Sequence, residues 1–347
     1  MELTKDLTTE VLPGSRTSIV EKVAKEEKLK PGENQSLLCN EEYYLAEEVE
    51  EILRSRVREG CAGAEFQLGQ FLFEKGDYDM ARLEFEAIQN KDMRARYQLG
   101  VMCYDTLGDK ENPKKGFELM MDVASSKSKH DQGLVAVAEY NIGRAYFQGY
   151  GVKQSDFDAE RWWLRAANDD NRSPSIKAQT ALGMYYSRPE TFNMKKAFHW
   201  HSLATKAGSL ESQGALGVMH LYGMGCSQDR QMALTYLRTA ADRGNVYATG
   251  QLASYYYNNK LFTKAAEMAE RAAHVDNVDE VARSTDCLRD FVSKGVSLGC
   301  FYFARCLQLG SGIDQNREKA ATYYSLACKH DKDLSALLQQ EVTLGHI

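Results

Sequence analysis

Apolar residues return along this chain in a recurring order. The stretch "ALGVMHLYGMG" (215–225) aligns with "YQLGVMCYDTLGD" (97–109), "YNIGRAYFQGYGV" (140–152) and "YFARCLQLGSGI" (302–313). Each places one small residue inside a helix-spaced apolar run: Gly100, Gly143, Gly217 and Ala304. Eight residues further on comes Gly108, Gly151, Gly225 or Gly312, and sixteen further on a second small residue, Gly116, Ala159, Ala233 or Ala320. Three copies are shorter or worn. Gly69 and Ala81 are twelve apart, Ala253 and Ala265 twelve apart, and Gly183 and Ala197 fourteen apart. Two fixed blocks with a variable joint predict a hairpin of two helices whose connecting loop absorbs the length changes.

The second block carries a helix start. Four residues before its small residue stand Asp77, Asn112, Ser155, Asn193, Asp229 and Asn316, whose side-chain oxygens suit an N-cap. The sixth copy has Leu261 there, and Thr263 is expected to cap instead. Apolar positions then recur three, four, seven and eight along, as in Trp162, Trp163, Ala166 and Ala167, or Tyr236, Leu237, Ala240 and Ala241. Small residues in both blocks let the two axes approach closely. The glycine pairs read as helix terminators, because glycine just past a helix tolerates positive φ. A phosphate-binding loop needs a preceding strand and a GxGxxG or GxxxxGK[ST] pattern, and neither pattern occurs.

The predicted fold class is all-α, an αα-superhelix or solenoid of about seven hairpins with capping helices. Hairpins fall near 62–92, 94–125, 137–171, 176–208, 212–245, 247–274 and 298–330 within a repeat region of 41–335. Residues 1–40 are expected to be a disordered tail, since 1–35 are polar and unpatterned. "EEYYLAEEVEEILRSRVREG" (41–60) predicts a capping helix with Leu45, Val49, Leu53 and Val57 inward. Residues 275–296 form an insert, whose Val278, Val281, Leu288, Phe291 and Val292 predict one or two extra helices. Residues 336–347 are expected to cap the far end.

The remaining numbers narrow the function. A net charge of −6 with scattered Lys and Arg argues against nucleic acid as a partner. No run of apolar residues is long enough to span a membrane. "MELTKDLTTEVLPGSRTS" offers no signal peptide, so the cytosol is the expected location and the eight cysteines are expected to be free thiols. No cysteine pair has CxxC spacing. His199 and His201 in "FHWH" sit two apart, so on a helix they point to different sides and cannot share one metal ion. They are expected on a half-exposed helix. Cys300 and Cys306 read as core thiols, and Glu47 and Glu48 as a solvated face. No nucleophile, base and oxyanion site come together, so neither catalysis, nor a cofactor, a metal or a small-molecule substrate is expected.

The long copies resemble Sel-one-like repeats, most fully at 140–171. The first and sixth copies look like tetratricopeptide repeats with the shorter loop. The resemblance implies a protein-binding scaffold, with the cytoplasmic tail of the endocytic receptor megalin among its partners. It also implies that positions three before, and one and four after, the small residue of each first helix point into a groove. Those positions hold Phe66, Gln70 and Phe73; Tyr97, Val101 and Tyr104; Tyr140, Arg144 and Phe147; and Ser254 and Tyr257. Rings with polar edges and an Arg are common carriers of interface energy. The same stripe also serves to pack one repeat on the next, and both readings stand at this point. The Lys and Asn clamp by which tetratricopeptide co-chaperones grip a terminal carboxylate is missing, since Phe66, Gln70, Tyr97 and Val101 occupy its places. An alternative is an adaptor subunit that positions a catalytic partner, for example in a protein-degradation complex.

Overall fold

Caps and small residues place the helices as the pattern predicts. The structure, a computed structural model, describes residues 18–27, 38–105, 107, 112–167 and 174–347, with backbone alone at 38–44 and 129. Among the described residues every regular element is helical. The chain divides into two compact units, one ending at Ser175 and the other spanning Ile176–Ile347.

The first unit holds α1 (Ile19–Glu26), α2 (Leu38–Arg58) and three hairpins: α3 (Ala64–Lys75) with α4 (Tyr78–Ile88), α5 (Met93–Tyr104) with α6 (Pro113–Ala124), and α7 (Gln132–Gln148) with α8 (Asp156–Ala167). The second unit holds α9 (Ile176–Tyr185) with α10 (Met194–Lys206), α11 (Leu210–Tyr222) with α12 (Arg230–Asp242), and α13 (Val246–Asn258) with α14 (Phe262–Ala273). There follow α15 (Val278–Thr285), the pair α16 (Arg289–Leu309) and α17 (Arg317–His330), and α18 (Lys332–Thr343).

All six expected caps form. Asp77 accepts the Met80 N–H at 3.3 Å, Asn112 that of Lys115 at 3.0 Å, and Ser155 that of Asp158 at 3.2 Å. Asn193, Asp229 and Asn316 accept from Lys196, Met232 and Lys319 at 3.1, 2.9 and 2.9 Å. The seventh start is corrected: Leu261 occupies the cap of α14 without a side-chain bond, and Thr263 is already inside the helix.

Inside the five hairpins whose first small residue is glycine, that residue faces the side chain four residues past the second. A Cβ on Gly69 would lie 2.6 Å from the Phe85 ring, one on Gly143 2.5 Å from Trp163, and one on Gly217 2.6 Å from Leu237. Gly100 faces Met120 and Gly183 faces His201 in the same way. The missing side chains are what let these large groups lie across the helix crossing.

The expected disordered tail needs correction where it is described. Residues 19–26 form α1, which buries Ile19, Val23 and Ala24. Glu74 of α3 accepts the Ser18 hydroxyl at 3.0 Å and the Ile19 N–H at 2.8 Å. Arg56 of α2 pairs with Glu27 at 2.6 Å. The rest of the predicted tail lies outside the described residues, apart from the start of α2. The α2 helix buries Val49 and Leu53 and half-buries Leu45 and Val57. The insert supplies one separate helix, α15; the remainder lengthens α16 to 21 residues.

Candidate functional site

The predicted groove positions are mostly covered. In the first unit, Phe66 is buried, 5.7 Å from the Phe85 ring and with the Arg94 guanidinium 4.2 Å above it. Tyr97 is fully buried, and its hydroxyl accepts from Asn141 of the next hairpin at 2.7 Å. Tyr104 is buried beside Tyr150 at 5.8 Å, with the Arg144 guanidinium 5.1 Å from its ring. Its hydroxyl has no hydrogen-bond partner among the described residues, and burial pushes its pKa up. Tyr140 and Phe147 are buried with Trp163: the indole N–H donates to the Tyr140 carbonyl at 3.2 Å, and Phe147 lies 5.5 Å from the indole. Arg144 is buried as well. In the second unit Tyr257 is buried between Tyr302 and Phe262, each at 5.3 Å, and Ser254 donates to the Tyr302 hydroxyl at 2.9 Å.

Only Gln70 and Phe73 of the eleven groove positions keep partial exposure. Gln70 accepts from Gln98 at 3.4 Å and donates to Glu74 at 3.1 Å, while Phe73 stands edge-on to Tyr78 at 5.5 Å. The bonds from Asn141 to Tyr97, Gln98 to Gln70 and Ser254 to Tyr302 each join one first helix to another. These faces lie against each other, so their rings hold hairpin to hairpin.

Exposed apolar side chains lie elsewhere: some singly on helices, such as Leu83, Phe157 and Leu337, and a set at the turns between the two helices of a hairpin. In the second unit Phe192 is 66% exposed, Tyr222 60%, Leu261 47% and Leu309 52%. Phe192 precedes the cap of α10, Tyr222 ends α11, Leu261 caps α14 and Leu309 ends α16. The glycine pairs draw neighbouring turns together. Gly225, in the turn after α11, lies on the backbone of Met194 at the start of α10; Gly312, in the turn after α16, lies on Phe262 at the start of α14. These two pairs of neighbouring turns therefore abut backbone to backbone, with large apolar side chains on show beside them. Exposed apolar side chains at neighbouring turns mark a candidate surface for protein contact. Sequence periodicity misses this edge because turn residues carry no helical phase.

The candidate chemical groups are placed as follows. His199 is exposed, whereas His201 is fully buried, which corrects the half-exposed reading for that residue. Its Nδ1 lies 3.0 Å from Ser212 Oγ, which donates to Thr180 Oγ1 at 3.1 Å. Burial lowers the His201 pKa to about 3, so the ring stays neutral. Cys287, Cys300 and Cys306 are buried. Burial raises the Cys300 thiol to about 12 and Cys306 to about 11, so both remain thiols and weak nucleophiles at neutral pH. Among the described residues no three His, Cys, Asp or Glu side chains are grouped to hold a metal ion. No described helix is long and apolar enough to cross a membrane.

One buried acid escapes the sequence reading. Glu211, in the first turn of α11, is 8% exposed and accepts the Leu288 N–H at 3.2 Å. Burial raises its pKa to about 8. Beside it lies a cavity of about 10 Å³ bordered by Met184, Ala215, Tyr247, Cys287 and Phe291. In sequence Glu211 looks like an ordinary acid at a helix N-terminus.

Comparison with known proteins agrees with this architecture. Residues 94–120, 136–171, 176–209, 210–245 and 297–332 match the Sel1 repeat. The chain therefore carries Sel1 repeats, and these are the hairpins α5/α6, α7/α8, α9/α10, α11/α12 and α16/α17. The chain is 22% identical over 280 residues to protein sel-1 homolog 2 of Mus musculus, covering 72% of this chain and 37% of that protein. With the Homo sapiens protein of the same name it shares 24% over 177 residues, covering 46% and 25%. It thus spans between a quarter and little more than a third of the length of these curated relatives. A Sel1 repeat protein from Oxalobacter formigenes superposes with a TM-score of 0.57 at 21% identity, covering 75% of this chain and 94% of that one. A protective antigen of uropathogenic Escherichia coli, displaying an SLR fold, gives 0.53 at 19%, covering 86% and 68%. These likenesses establish the fold: all-α, built of Sel1-type helical hairpins.

Proposed function

We propose that this protein is a non-catalytic cytosolic adaptor that holds protein partners on the surfaces its hairpins leave open. The observation that carries the reading is the row of exposed apolar side chains, Phe192, Tyr222, Leu261 and Leu309, at the turns of the second unit. In the first unit Gln70 and Phe73 are the accessible members of the predicted groove, and they extend the proposal there. Apolar anchors exposed along successive hairpins of a scaffold suit extended contact with another chain.

The cytoplasmic tail of megalin is the partner proposed by resemblance. The order of repeats, the insert, and stretches such as "ESQGALGVMHLYGMG", "ADRGNVYATGQL" and "ARCLQLGSGI" resemble a megalin-binding protein. The test is titration of a labelled megalin-tail peptide into wild type, Tyr222→Asp and Leu309→Asp. Both variants should bind at least tenfold more weakly with unchanged helicity by circular dichroism. Unaltered binding would remove the turn edge as the docking surface. No binding by wild type would remove megalin.

A further inference from the structure

The segment that interrupts the repeats makes a set of contacts unlike any repeat. The chain leaves α14 at His274, forms α15, and turns at Asp286 in the left-handed region with φ of 53° before entering α16. This detour runs back across the N-terminal ends of three first helices. The Asp286 carboxylate lies 3.0 Å from the Lys177 amine of α9. The Leu288 N–H donates to Glu211 of α11 at 3.2 Å, and the Phe291 ring meets Tyr247 of α13 edge-on at 5.5 Å. Lys177, Glu211 and Tyr247 share one register: each stands six residues before the small residue of its helix, Gly183, Gly217 or Ala253. One column of three successive repeats thus forms a single receiving surface.

Three features distinguish this contact from ordinary core. The column meets the insert through charge and through a main-chain N–H, the groups by which a docked peptide is held. Cys287 and Leu288 are buried, but the α15 helix that leads to them is lightly anchored. The α15 helix has eight residues, fewer than an isolated helix needs to persist, and buries only Val278. Asp279, Glu280, Arg283 and Ser284 all face solvent. The fit is also incomplete, because the cavity of about 10 Å³ lies beside Cys287.

We propose that α15 with Asp286, Cys287 and Leu288 is an internal stand-in for a partner's short amphipathic helix, which docks on the Lys177–Glu211–Tyr247 column when the insert is displaced. This goes beyond the turn edge by adding a second docking surface at the other end of the hairpins, and rests on the adaptor reading. The partner helix ends in an acidic residue, which pairs with Lys177. Two apolar residues follow, and the second offers its N–H to Glu211. The first is larger than cysteine and fills the cavity, which lets the partner outcompete the insert. Until then the insert keeps the column closed.

The experiment uses the full chain and a fluorescein-labelled peptide of residues 277–292 carrying C287M. Asp286→Gly removes the carboxylate and keeps the turn, since glycine accepts positive φ. Hydrogen exchange on wild type should show 278–288 exchanging at least tenfold faster than α11. The peptide should bind Asp286→Gly at least tenfold more tightly than wild type. Adding Lys177→Glu should abolish that binding, and a peptide with Lys in place of the acidic residue should restore it. Equal protection of 278–288 and α11, or equal peptide binding by wild type and Asp286→Gly, would make the insert a fixed brace and overturn the proposal. If Asp286→Gly changes nothing while Tyr222→Asp still weakens partner binding, the insert proposal fails and the adaptor reading stands.

Discussion

Gly225 rests directly on the carbonyl of Met194, so closely that a Cβ would overlap it. Gly225 also holds φ of +75°. This joins the turn after α11 to the start of α10, and Gly312 repeats it on Phe262. Gly225→Ala therefore meets both a steric and a conformational penalty, and should destabilise the second unit by about 2 kcal/mol or more. Gly133→Ala, in α7 with nothing within 4 Å of its Cβ position, should be neutral or stabilising by about 0.5–1 kcal/mol. Urea denaturation of the two variants gives the comparison.

The helix crossings predict a second pair. Gly217→Leu forces a side chain onto Leu237 and should cost roughly 1–3 kcal/mol. Trp163→Ala empties the space against Gly143 and removes the N–H bond to Tyr140, and should cost about 3–5 kcal/mol. Thermal melts followed by circular dichroism would show both losses.

His201 sets an acid limit. Burial holds its native pKa at about 3, below the ordinary imidazole value of 6.5. As pH falls from 6.5 toward 3 the unfolded chain takes up a proton that the native ring refuses, so stability drops. Above 6.5 the group contributes no slope. Leu237 fills the equivalent place in the next hairpin, so His201→Leu should flatten the acid limb. Between pH 6.5 and 5 that removes about 2 kcal/mol of pH dependence. Urea midpoints measured at the two pH values test this.

Glu211 acts in the opposite sense. Its pKa rises from 4.5 to about 8, so the native state holds a proton that the unfolded chain gives up. Its contribution is present below 4.5 and is lost as pH rises toward 8. Glu211→Gln keeps an acceptor for the Leu288 N–H and removes the titration. At pH 8 the variant should be more stable than wild type by on the order of 1–3 kcal/mol. At pH 4.5 the two should melt together.

The hairpins were legible because their signals are local. Asp229 caps α12 through an N–H only three residues away, and the small residues recur at fixed spacing. What failed to show depends on distant chain. Periodicity places Tyr97 and Tyr140 on a face but does not say that another first helix covers it. Glu211 finds its partner 77 residues away. The α1 helix was hidden because eight residues with one cap give too short a period, and its anchor, Glu74, lies far along the chain.

Crosslinking with mass spectrometry on the protein bound to a partner tail tests the docking surface most directly. Exposed lysines stand at both edges of the second unit's hairpins: Lys195, Lys196, Lys260 and Lys264 beside the turns, Lys206 and Lys329 at the far ends of the second helices, and Lys332 at the start of α18 just past one of those ends. Crosslinks concentrated on the first four are the expected result. Crosslinks concentrated on Lys206, Lys329 and Lys332, with the turn lysines unmodified, would contradict a partner held along the turn edge.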